Sequence, residues 1–191
     1  MALTEEQQDV WQKLQNAPKQ SFADAILHTP NDVSLETPGI YAIWDGNELI
    51  YIGNALLKRP EGSLKKRLWG LKDRLHSHRA GQISGSSVAL ALWFCRIAPA
   101  LSQDEHKAIS DRKINPSART EAAIQKLCYT CCPVDELEVG QIEAALYRNL
   151  KPELNEYQEF VRIDSWNRKQ KTLKAQKAQL AQPAASTGKE A

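Results

Sequence analysis

The sequence predicts an α+β protein, with a small antiparallel sheet of about three strands flanked by several helices. Three observations predict it. Two apolar runs, Gly39-Ile40-Tyr41-Ala42-Ile43-Trp44 and Glu48-Leu49-Ile50-Tyr51-Ile52, flank the turn residues Asp45-Gly46-Asn47, which is the pattern of a β-hairpin. A third strand-like run, LCYTCCPV, occupies 127–134. Capped, helix-periodic segments fill most of the remainder.

In chain order, Thr4-Glu5-Glu6-Gln7 is a capping box opening a helix that runs to about Asn16, with Val10, Trp11 and Leu14 as its apolar stripe. Pro18 ends it. Ser21 to Asp24 reads as a second box for a short helix ending before Pro30. Residues 29–38 are loop. After the hairpin, Gly53 to Gly62 is loop, and Ser63 caps a basic helix that runs to about Arg79. GQISGSS at 81–87 reads as a flexible link, and 88–98 as helix or strand, with helix favoured. Helices follow at 102–112 and 117–126, the second after Asn115-Pro116-Ser117. Asp135 starts a helix to about Leu150, with Ile142, Leu146 and Leu150 four apart, and Pro152 stops it. The last ten or so residues have a disordered composition. No internal repeat is present.

The chain has 191 residues, 42% hydrophobic and 25% charged, an ordinary globular composition that excludes collagen, a coiled coil or wholesale disorder. Its longest apolar run, Val88 to Cys95, falls far short of the 18 or so residues of a membrane span. MALTEEQQDV shows neither a basic n-region nor an apolar h-region, so no secretory leader is expected. Four cysteines (Cys95, Cys128, Cys131, Cys132), three of them clustered, are no secreted disulfide framework, and a reducing cytoplasm is expected. On a strand Cys128 and Cys131 point to opposite faces, which favours core packing over zinc. His28 and His106 are isolated and carry no assignment.

The net charge of +2 conceals two basic blocks. Residues 54–80 carry eight Lys and Arg against two acids, and residues 160–191 carry seven against two, within an otherwise acidic chain. Clustered cations are the electrostatic footprint of phosphate backbones, although most charge runs are only solvated helix faces.

Four groups of residues could carry chemistry. A three-residue hairpin loop at 45–47 would set Tyr41 opposite Tyr51 on one sheet face, whereas a two-residue turn would break that pairing. Arg74 and His78, four apart on a helix, share a face, while His76 points elsewhere. A guanidinium beside an imidazole is a poor structural choice unless an anion lies between them. Glu143 flanks the apolar stripe of the late helix, where a part-buried carboxylate wants a cation or donors. Asn155 follows just past the Pro152 stop.

Gly39-Ile40-Tyr41, nine residues, then Tyr51-Ile52-Gly53 resembles the GIY-YIG nuclease superfamily. The downstream order is similar too: an Arg-x-x-x-His helix (Arg74, His78), a strand, then a helix with Glu143 and a Pro152-x-x-Asn155 ending. The long stretch between Gly53 and Arg74 places the spacing closest to the restriction-endonuclease-like branch. His78, four residues on, selects Arg74 over Arg59 or Arg67 as the family arginine. The resemblance covers about residues 38–156, leaving 1–37 as a helical N-terminal extension and 157–191 as a basic C-terminal one.

That resemblance implies a metal-dependent endonuclease hydrolysing DNA phosphodiester bonds with one divalent ion, Mg²⁺ or Mn²⁺. Tyr41 becomes the general base, which requires its pKa to fall by about three units, or roughly 4 kcal/mol, with Arg74 and the metal favouring the phenolate. Tyr51 bonds within the site or to the phosphate, Arg74 clamps that phosphate, and His78 orients a group or shuttles a proton. Glu143 is the metal ligand, since Mg²⁺ keeps several waters and needs few protein donors. Asn155 braces the site. Lys65, Lys66, Arg67 and Arg79 are expected to contact the DNA backbone, with duplex DNA as partner and no membrane role. Cutting both strands at a symmetric site would call for a homodimer. Two other readings compete: a non-catalytic nucleic-acid-binding or interaction module on the same scaffold, and a toxin-type nuclease.

Overall fold

The structure, a computed structural model, describes residues 2–24, 37–56 and 70–157. Strands β1 (Gln20–Ser21), β2 (Gly39–Asp45), β3 (Glu48–Ala55) and β4 (Cys128–Pro133) form one antiparallel sheet in the order β1-β4-β2-β3. The helices are α1 (Glu5–Asn16), α2 (Leu71–Arg79), α3 (Ser87–Leu92), α4 (Gln103–Ser110), α5 (Pro116–Ile124) and α6 (Val139–Leu150). The fold is α+β. The fourth strand, β1, is the one that pattern analysis did not separate from its surroundings.

Local chemistry explains most boundaries. Thr4 closes a capping box with Gln7, and Ser102 does the same with Glu105. Asn115 accepts from the Ser117 amide, with Pro116 in the first helical turn. Helix α3 passes into a π-helical turn, Trp93–Ile97, and then a short 3₁₀ turn, Ala98–Ala100.

Three expectations change. Ser21 caps no helix over the described residues 22–24, and the rest of the expected segment, from 25 on, lies outside the described residues. The Ser21 hydroxyl accepts from Ala23 N in a tight turn, while Gln20 and Ser21 pair with Tyr129 and Cys128. Buried Phe22, tilted against Tyr129 at 4.9 Å between centroids, holds the chain along β4. Helix α2 starts at Leu71 behind an extended Gly70, so no single helix joins Ser63 to Arg79. Ser63, Lys65, Lys66 and Arg67 lie outside the described residues, as does the basic tail from Gln158 onward. Helix α6 starts at Val139, because the Asp135 carboxylate first caps a turn at Leu137 N.

The hairpin register is the decisive feature. The loop has two residues, Gly46 and Asn47, between paired Asp45 and Glu48, with Gly46 at a φ of 58°. Such a turn alone would set Tyr41 and Tyr51 on opposite faces, since a one-residue shift reverses every side chain. A β-bulge intervenes: Trp44 pairs with Leu49 and Ile43 with Tyr51, leaving Ile50 as the extra residue. From there the pairing is Tyr41 with Gly53. The two tyrosines are therefore diagonal rather than opposed, but they share a face, with ring centroids 6.0 Å apart.

Each sheet face has its own core. On one, Tyr41, Ile43, Tyr51 and Tyr129 pack with Phe22, with Leu71 and Leu75 of α2, and with α3 and Ile124 of α5. On the other, Ile40, Ala42, Trp44, Ile52 and Cys132 pack with Val10 and Leu14 of α1 and with Val139, Ile142 and Leu146 of α6. The segment ahead of residue 38 thus supplies both a core helix and a sheet edge. Cys131 and Cys132 pack on opposite faces, all four cysteines are free thiols, and burial pushes Cys131 up to about 11.

Candidate functional site

Leu71, Leu75 and His78 form the buried stripe of α2, so the helix lays His78 directly against the tyrosine face. The Tyr41 hydroxyl and His78 Nε2 lie 2.6 Å apart, and both residues are 0% exposed. On the far side of the ring, His78 Nδ1 is 2.7 Å from Ser86 Oγ. Arg74, one turn earlier, reaches the same cluster and contacts Ser87 Oγ through its Nη2 at 3.5 Å. The Tyr51 hydroxyl meets that Ser87 oxygen at 3.3 Å. Tyr41, Tyr51, Arg74 and His78 therefore converge on one face, locked from behind by two consecutive serines at the start of α3.

In the free protein the electrostatics run opposite to the fall expected with a metal bound. The Tyr41 phenol is driven well above its ordinary value of 10.0, first by burial and then by Tyr51. The Arg74 guanidinium opposes this with its charge and a hydrogen bond but does not prevail. No standing phenolate is available in the free protein, because the cost of charging a fully buried oxygen exceeds one cation's help. His78 is held well below 6.5, by burial and then by Arg74, so its imidazole is neutral. Burial also disfavours the charge on Arg74, yet the oxygens of Tyr41, Tyr51 and Glu143 draw its pKa upward on balance. Arg74 Nε is buried without a hydrogen-bond acceptor.

These two shifts fix the sign of a stability profile. The unfolded chain protonates His78 near 6.5 while the fold does not, so this contribution is full above that pH and lost below it. The unfolded chain ionises Tyr41 near 10.0 while the fold does not, so that contribution is full below this pH and lost above it. Urea midpoints are expected to fall on both sides of this window. His78→Gln should remove the acid-side slope it causes; a slope unchanged in that variant contradicts the assignment.

Glu143 and Asn155 approach from elsewhere. Glu143 extends from α6, which packs on the other face, and accepts from Asn54 Nδ2 on β3, the outer strand. Its charge is felt by both Tyr41 and Arg74 across that edge. Asn155, 9% exposed, accepts from Ile52 N and donates to Ile52 O, both at 2.7 Å. Its carboxamide replaces a missing strand neighbour at the residue between Tyr51 and Gly53, which gives Asn155 a bracing role. Arg79 donates to Ala23 O at 3.3 Å. Among the described residues, no group of three or more His, Cys, Asp or Glu side chains could hold a metal.

Gly53 makes the tyrosine arrangement possible. A Cβ there would collide with the phenol oxygen and ring of Tyr41 and with the Tyr51 ring. Gly53→Ala is expected to cost about 1–3 kcal/mol by overpacking, read from urea midpoints, and to displace Tyr41 from His78. An alanine variant of unchanged stability would show that the rings can give way.

Pattern analysis missed Asn54, Ser86 and Ser87. Ser86 carries a readable signal, the first of two serines ahead of the apolar run Val88-Ala89-Leu90-Ala91-Leu92, which is an N-cap signature that the neighbouring glycines disguise as linker. The fold and site thus define an α+β protein with a buried Tyr–His–Ser chain beside an arginine and, across a sheet edge, a carboxylate. Compared with known proteins, the chain matches no family model, no curated protein and no solved structure.

Proposed function

We propose that this protein is a metal-dependent endonuclease of the GIY-YIG type that hydrolyses DNA phosphodiester bonds. The observation that carries the reading is Arg74: a guanidinium with an acceptorless buried Nε, in no ion pair within 4.0 Å among the described residues, beside a phenol–imidazole hydrogen bond. Its buried Nε lacks an acceptor, and a phosphate oxygen would supply one.

In this reading Arg74 neutralises charge on the scissile phosphate. As a water oxygen bonds to phosphorus, its proton passes to the Tyr41 oxygen and the Tyr41 proton passes to His78 Nε2. The bond from phosphorus to the leaving oxygen breaks and that oxygen keeps the electron pair. Phosphate bound at Arg74 offsets the charge that depresses His78, so the imidazole becomes a better acceptor when substrate is present. Glu143 is a hard oxygen donor, and one carboxylate with waters and a substrate phosphate suits Mg²⁺ or Mn²⁺. A divalent ion held there would neutralise the departing oxygen.

A second reading, a non-catalytic nucleic-acid-binding module, draws on the 0% exposure of Tyr41 and His78. Incubating the purified chain with supercoiled plasmid and Mg²⁺ or Mn²⁺ separates the two. Nicked or linear product that EDTA suppresses is expected. No cut in DNA or RNA of either strandedness would favour the module.

A further inference from the structure

We infer that Asn54 is a positioning residue: its carboxamide holds the Glu143 carboxylate apart from Arg74, so that the anion serves a hard divalent cation and the guanidinium serves a phosphate. The use of the two charges rests on the nuclease reading, whereas their separation does not.

An expected ion pair is missing. Arg74 and Glu143 carry opposite charges and lie close enough for the carboxylate to act on the guanidinium. Arg74 Nε is buried and lacks an acceptor, and carboxylate oxygens form strong, charge-assisted bonds to guanidinium groups. Yet among the described residues no ion pair joins Arg74 to an acid within 4.0 Å. Glu143 accepts instead from Asn54 Nδ2. That bond has one direction, because a carboxylate only accepts and the carboxamide must present its NH₂ group. Being neutral, the carboxamide holds the carboxylate without cancelling its charge.

Strand geometry keeps Asn54 in place. It lies opposite Ile40 in the β2–β3 pair, so it shares the face on which Ile40 and Ile52 pack against α6. Two residues earlier, both backbone groups of Ile52 are bonded by Asn155. Asn54 is therefore the polar end of an apolar row on a braced strand. Glu143 follows buried Ile142 on α6. Packing of Ile142 and Ile52 in one core fixes both backbones, and the Asn54 bond then sets where the glutamate side chain ends. In the proposed reaction Asn54 touches no reacting atom; it acts through Glu143.

The separation is read without substrate. In the full chain labelled with ¹⁵N, the guanidinium ¹H–¹⁵N signals of Arg74 are identified by their loss in Arg74→Lys. In Asn54→Ala they should move downfield as Glu143 turns to Arg74, and adding Glu143→Gln to that variant should reverse the shift. Asn54→Val, which has no donor and suits a strand, should behave alike and replaces the alanine variant if that one folds poorly. Paramagnetic resonance of Mn²⁺ titrated into the chain reads the second half. Affinity should fall about 10–100-fold in both variants, the range for losing a group that orients a metal ligand. Arg74 signals that stay in place in both variants overturn the inference. Moved signals with unchanged Mn²⁺ affinity overturn its metal half. Moved signals in a protein that binds no Mn²⁺ and cuts no nucleic acid would uphold the separation by Asn54 and remove the nuclease reading.

Discussion

Arg74→Ala is expected to slow DNA cleavage by about 10³-fold while changing the stability of the fold little. The two halves of this result come from one observation. The Arg74 guanidinium sits in a partly buried site where desolvation opposes its charge and its Nε finds no acceptor. Removing it costs the fold little, because the hydrogen bonds that depend on it are one to Tyr41 and a long one to Ser87 at 3.5 Å. Removing it costs the reaction its main phosphate cation, for which about 10³-fold, or roughly 4 kcal/mol, is the low end of arginine effects in phosphoryl transfer. Arg74→Lys should restore charge but not the planar fork, and recover only part of the rate. Single-turnover cleavage beside urea melts measures both halves. A large loss of stability with no loss of rate would make Arg74 structural. A rate loss in Arg67→Ala instead would move the phosphate clamp to that residue.

Glu143→Ala is expected to abolish metal-dependent cleavage, a loss of at least about 10³-fold, with DNA affinity nearly unchanged. The carboxylate lies at the β3 edge, bonded to Asn54 and within electrostatic reach of Arg74 and Tyr41. Neutralising a departing oxygen is worth several kcal/mol of barrier. Phosphate backbone affinity, by contrast, comes from Lys and Arg. A filter-binding titration beside cleavage at rising Mn²⁺ separates these effects. Full activity in the alanine variant would take Glu143 out of the metal role.

Short-range signals carried much of the fold. Thr4, Ser102 and Asn115 cap helices because each offers a side-chain oxygen to an unpaired amide next in the chain. The apolar runs at 39–44 and 48–52, broken by Gly46, could only be a hairpin. Arg74 and His78 were legible as a pair because helical spacing is local. Ser21 misled, since its serine-to-acid spacing mimics a capping box and the opposing force, Phe22 packing on Tyr129, arises from a strand far along the chain. The upward push on Tyr41 in the free protein was not legible, because burial is a property of the assembled core.

The sequence by itself determined which residues enter helices and strands, and that two tyrosines, an arginine and a histidine lie on elements able to meet. Only the tertiary structure decided that they do. A two-residue turn would have parted the tyrosines, and the bulge at Ile50, packed in the core with Leu71 and Leu75, returned Tyr51 to the Tyr41 face. The preference for that register lies in contacts with α2 and α3, and the reach of Glu143 and Asn155 to β3 lies in contacts made about ninety to a hundred residues later. Caps and periodicity act within a turn or two, whereas register and burial depend on groups that only folding brings together.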